Sequence, residues 1–99
     1  MLFRSSPLLP EVPPLADTIA GFEAANWFGV LAPRGTSDAV VAKLAQIIGK
    51  SMQADDVKQR FVKDGGEAIG GTPSQFADLI RNETKRWAEV VRVSGARID

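Results

Sequence analysis

Apolar residues along this chain change rhythm between its first third and the rest, and the change predicts where strand gives way to helix. Trp27-Phe28-Gly29-Val30-Leu31-Ala32 is apolar on both faces with little alternation, which predicts a strand over residues 23–32. Pro33 stops it and Gly35 turns the chain. A strand of that kind is normally covered on both sides, and few neighbours are on offer here. From Val40 onward the spacing is helical: Val40, Val41, Leu44, Ile47, Ile48 and Met52 form one stripe. Thr36 or Ser37 starts this first helix, Asp38 suits its dipole, and the end falls around Ser51 to Gln53.

A short second helix takes Asp55 as its N-cap, sets Val57 and Phe61 four apart with Val62 beside them, and ends on a left-handed Gly65. Glu67-Ala68-Ile69-Gly70 is a brief extended segment read as a short strand, before a Gly70-Gly71 turn. Thr72-Pro73-Ser74-Gln75 is a capping box with proline at the first helical position. It opens a third helix whose apolar face holds Phe76, Leu79, Ile80, Trp87, Val90 and Val91, with Gly95 as the stop. At 1.5 Å per residue this helix is about 30 Å long, more than one short sheet covers. On its outer side Asp78 pairs with Arg81, Glu83 with Arg86 and Lys85 with Glu89. Residues 1–22 read as a proline-rich arm, with one helical turn at Leu15 to Ile19 ending near Gly21. It either lies over the core or docks on a partner. The fold class is α+β: a single domain over residues 1–99 with about three helices, one long strand and one short strand.

Charge adds an exclusion. Twelve basic and twelve acidic residues cancel, so no basic field exists to gather nucleic acid. Cysteine and histidine are both absent, which removes disulfides, thiolate nucleophiles, histidine-based triads and the usual zinc sites. Asp55-Asp56 sits where acids cap a helix, and Asp78 and Glu83 lie among arginines and lysines on a solvated face. Gly65-Gly66 and Gly70-Gly71 lack the strand-to-helix placement of a phosphate loop. Ser37, Ser74 and Ser94 have no base to activate them, so the chain reads as no enzyme and needs no cofactor. Alternation puts Trp27 and Phe28 on opposite faces, so at most one lines any single cleft, and Trp87 reads as core.

The order of these pieces resembles the C-terminal part of the Bug (TctC-like) family of solute receptors for tripartite tricarboxylate transporters. The matching residues are Leu9 to Pro13, Gly21 to Ala24, Trp27 to Pro33 and Gly35-Thr36. Farther on they are Gly66, Gly70 to Pro73, Phe76, Ile80, Glu83, Arg86, Trp87, Val90 and Val91. The resemblance implies a piece of a two-lobed α/β periplasmic binding protein, in which a small carboxylate lies between lobes and closure presents it to membrane transporter subunits. The segment from Trp27 to Pro33 would be the strand that crosses between lobes, and Asn26, Trp27 and Phe28 are the candidate ligand contacts. Pro13-Pro14 and Asp17 stand where the family often has a proline-threonine pair with a nearby glutamate.

Two functions remain open. One is a truncated or fragmentary solute-binding receptor. The other is a stand-alone, self-associating interaction protein derived from this fold piece. Under either, the apolar strand with open edges favours a homodimer. The family is periplasmic, whereas the N-terminal residues, interrupted by Arg4, Pro7 and Pro10, lack the apolar core of a signal peptide and would leave the chain in the cytoplasm if expressed as written.

Overall fold

Three helices dominate the computed structural model, which describes residues 6–98. Helix α1 spans Asp38–Gln53, and Ser37 caps it by accepting a 3.3 Å hydrogen bond from the Val40 amide. Helix α2 spans Asp55–Lys63. Its cap position belongs to Ala54, whose extended backbone (φ −67°, ψ 136°) breaks the chain away from α1. Asp55 is therefore the first helical residue and not the N-cap, and with Asp56 it complements the dipole from inside the first turn. At the other end Gly65 (φ +80°) donates to the Val62 carbonyl at 3.0 Å and Gly66 to the Phe61 carbonyl at 2.7 Å. That pair of bonds is a Schellman motif, and the positive φ is why glycine stands there.

Helix α3 spans Pro73–Ser94 and is about 33 Å long. Its capping box is complete. The Gln75 amide donates to Thr72 Oγ1 at 3.2 Å, and the Thr72 amide donates to Gln75 Oε1 at 2.8 Å. Gly95 (φ +68°) ends the helix by donating to the Val91 carbonyl at 3.0 Å.

The β part of the expected α+β class is absent among the described residues. Residues 23–32 and 67–70 are extended but join no ladder. An isolated ribbon has no neighbour to accept its amides, so an apolar strand-like sequence is not sufficient to make a strand. The arm's first five residues lie outside the described ones. The rest of the arm folds through hydrogen-bonded turns at Ser6–Leu9 and Leu9–Val12 and a 3₁₀ turn at Leu15–Asp17, and Leu8 approaches Gly65 at the end of α2.

Packing between elements is sparse. α1 and α2 contact each other. Val41, Ala45, Ile48 and Met52 of α1 and Val57 of α2 are half-buried. Segment 66–72 crosses the last turns of α1, where Gly70 lies close against Met52. No described residue is fully buried, and Trp87, expected in a core, is 43% exposed. The accessible surface is 8723 Å², against about 5,500 Å² for a compact chain of this mass. The radius of gyration is 16.5 Å, against about 13 Å for a compact chain of this length. Half of the α1 stripe (Val40, Leu44 and Ile47) faces outward for want of a covering surface.

Ion pairs ride on the helix surfaces. Asp78 pairs with Arg81, Glu83 with Arg86 at 3.2 Å, and Arg60 with Asp64 at 3.3 Å. Glu89 pairs with Arg92 and not with Lys85 as expected, because the planar guanidinium makes two bonds at once (2.5 and 2.9 Å) that a single ammonium cannot match. The hydrogen bond from Arg92 holds the Glu89 carboxyl below its ordinary pKa.

Candidate functional site

Ribbon 24–29 is held by α3, not by another strand. Trp27 meets Phe76 edge to face, with ring centroids 5.5 Å apart and planes at 87°. Gly29 lies directly under the same ring, where a β-carbon would fall 2.1 Å from Phe76 Cζ. Farther back, Ala24, Ala25 and Asn26 share a shallow hollow of about 260 Å³ with Trp87. The ribbon therefore runs antiparallel to α3. Residues 27–29 meet its first turn, and residues 24–26 meet its middle, about 16 Å along the axis.

The three candidate ligand contacts separate. Asn26 brings an amide to the hollow. Trp27, 38% exposed, leans on α3. Phe28 points the other way and is 91% exposed, as strand-like alternation dictates. The structure thus joins Asn26 to Trp87 and leaves Phe28 outside the hollow.

A polar knot borders that hollow. Glu83 accepts from Trp87 Nε1 at 2.6 Å and from Arg86 Nη2 at 3.2 Å, while the Arg86 guanidinium lies 5.2 Å from the Trp87 ring centroid. The Glu83 side chain is only 15% exposed, so its charge is satisfied by these two donors more than by solvent. Sequence reasoning placed Glu83 and Arg86 in an outer ion pair and missed the indole. The signal was present in the spacing, since residues 83 and 87 lie one turn apart. Glu83→Ala leaves both donors without their acceptor and is expected to cost about 1–2 kcal/mol in urea unfolding followed by helical circular dichroism. Glu89→Ala, which removes a fully exposed pair, is expected to change the midpoint little.

A second trough, of about 390 Å³, lies between α1 and the start of α3 and is walled by small residues including Ala45, Gly49, Gly70 and Gly71. Among the described residues no acidic cluster suits a metal ion, and no helix is long and apolar enough to cross a membrane.

Residues 4–96 match the family described as tripartite tricarboxylate transporter family receptor. The chain is a member of that family, which is one of transporter receptors and not of enzymes. It is 41% identical over 87 residues to the UPF0065 protein in the tcbD-tcbE intergenic region of Pseudomonas sp. strain P51, a match covering 86% of this chain and 26% of that relative. It is 36% identical over 90 residues to protein BugT of Bordetella pertussis, covering 90% of this chain and 28% of BugT. A third relative, the UPF0065 protein in the clcB-clcD intergenic region of Pseudomonas knackmussii, is 32% identical over 90 residues, covering 89% of this chain and 53% of that protein. The chain thus spans about a quarter to a half of the length of these curated relatives. No solved structure matches it.

Proposed function

We propose that this chain acts as part of a solute-binding receptor of a tripartite carboxylate-uptake system, supplying its C-terminal helices and inter-lobe ribbon and not a complete ligand pocket. Family membership over residues 4–96 carries this reading. The hollow beside Asn26 supports the second half of it, because two alanines, one asparagine and one tryptophan offer a carboxylate little charge to bind. Arg86, the cation beside that tryptophan, is already held by Glu83. The solute is a small carboxylate, the partners are membrane transporter subunits, and the compartment is the periplasm. Asn26 contributes an amide at the edge of the cleft, and Trp27 positions the ribbon.

A chimera tests this. In BugT of Bordetella pertussis, this chain replaces the matched segment of 90 residues. Thermal unfolding is then followed with millimolar citrate, succinate or glutamate, alongside parental BugT. The chimera is expected to fold and to respond to the same carboxylates as its parent, whereas the isolated chain is expected to show no shift. A chimera that unfolds, or that ignores a ligand its parent recognises, overturns the proposal. The alternative, a stand-alone self-associating protein, is favoured by one observation, the large apolar surface left uncovered.

A further inference from the structure

We propose that Glu83 is a built-in carboxylate: it occupies a carboxylate-binding site that Arg86 and Trp87 form at the rim of the Asn26 hollow, and so denies that site to the charged end of a solute. The contacts within α3 carry the inference, and only the chemical class of the excluded solute rests on the receptor reading above. A guanidinium stacked on an aromatic face, with its N–H groups aimed at a carboxylate, is a recurring way of holding carboxylates. Here all three parts come from one turn of α3. The Arg86 guanidinium lies 5.2 Å from the Trp87 centroid, and Glu83 Oε2 accepts from Trp87 Nε1 at 2.6 Å and from Arg86 Nη2 at 3.2 Å. The sharing is unequal, since the indole takes the short bond and the guanidinium keeps one long one. None of the other N–H groups of Arg86 has an acceptor among the described residues. The pair also differs from its fellows in burial. Its side chains are 32% and 15% exposed, whereas those of the other three pairs are 60–78% exposed. Drawing a charge pair out of water costs desolvation, so stability alone gives this placement little reason.

Trp87 also walls the hollow with Ala24, Ala25 and Asn26, and the Asn26 amide brings further N–H donors to it. Its volume of about 260 Å³ is several times the roughly 30 Å³ share of a water molecule, which is room for a carboxylate and a few carbons. With Glu83 in place the group is neutral, and its own carboxylate repels a second one. With an amide in place of that carboxylate, the same residues carry a net positive charge. The hollow therefore meets an uncharged part of the solute, and other parts of the receptor hold the charged end.

Glu83→Gln in the full chain tests this, because its amide oxygen still accepts from the Trp87 indole. Glu83→Met, a straight-chain helix former of similar length, is the second variant. Trp27→Phe in every chain leaves Trp87 as the sole tryptophan. Succinate is titrated at constant ionic strength, balanced with sodium chloride, while Trp87 fluorescence and thermal unfolding are followed. Both variants are expected to bind with a dissociation constant of about 1–10 mM, at least tenfold tighter than the chain that keeps Glu83. Adding Arg86→Gln to either variant is expected to abolish the response. No response in either variant, equal binding by the chain that keeps Glu83, a response that survives Arg86→Gln, or one that chloride alone reproduces overturns the proposal. The BugT chimera takes no part in this titration, so its failure and the failure of the Glu83 proposal are separate results.

Discussion

Gly70→Ala is expected to destabilise the chain by about 2–5 kcal/mol, the largest effect of any single methyl added to it. Two independent costs add at this position. The backbone is left-handed (φ +63°), which a β-carbon penalises by about 1–2 kcal/mol. The added carbon also falls 2.8 Å from Met52 Cβ and 3.1 Å from Met52 Cγ. Met52 Cβ is fixed to the α1 backbone, so relief requires moving segment 66–72 away from the helix. Gly35→Ala is the matching control, since Gly35 is also left-handed (φ +88°) but nothing lies within 4 Å of its added carbon. Urea unfolding of the two variants separates strain from contact. Gly70→Ala is expected to exceed Gly35→Ala by about 1–3 kcal/mol, the cost of overpacking. Equal losses would show that segment 66–72 does not rest on α1.

Gly29→Ala is expected to uncouple the ribbon from α3 while leaving the helix formed. No unusual backbone angle protects this glycine. What protects it is the Phe76 ring, three of whose atoms would lie 2.1, 2.6 and 2.8 Å from an added β-carbon. The ring has to swing aside, and in doing so it leaves the edge of Trp27. The expected cost is about 1–3 kcal/mol, with a red shift of tryptophan fluorescence and loss of near-ultraviolet dichroism. Far-ultraviolet helicity is expected to hold, because the ends of α3 are secured by Thr72, Gln75 and Gly95 and not by the ribbon. Phe76→Leu in the same chain should recover part of the loss. An unchanged fluorescence spectrum in Gly29→Ala would mean that Trp27 and Phe76 do not meet in solution.

These two glycines mark the boundary of what the sequence discloses. The helices were legible because their signals are local: Ser37 caps three residues ahead, Thr72 and Gln75 satisfy each other, and Gly65 and Gly95 stop the chain where a left-handed residue is needed. The strands were not, since strand status depends on a neighbour that residues 23–32 do not find among the described residues. Asp55 was misplaced by one position because Ala54, a residue with no capping side chain, takes the break. Lys85 and Arg92 lie at equally good spacings from Glu89, and only guanidinium geometry separates them. The site was legible in part. Alternation separates Trp27 from Phe28, yet nothing in the sequence pairs Trp27 with Phe76. The one hint was Gly29, a glycine inside an apolar extended run, which marks a close approach by something bulky. The family resemblance reached further than the local signals, because it drew on the order of pieces along almost the whole chain.

The self-contained ends of α3 also dictate an order of assembly. Every group that starts and stops this helix lies within four residues of it, so it can wind on the timescale of helix–coil relaxation, about a microsecond, before any distant contact exists. Docking Trp27 onto Phe76 must close a loop of about fifty residues, whose entropic cost only a preformed helical face repays. The helix is thus the foundation laid first, and the aromatic latch is the last piece to engage and the first to let go.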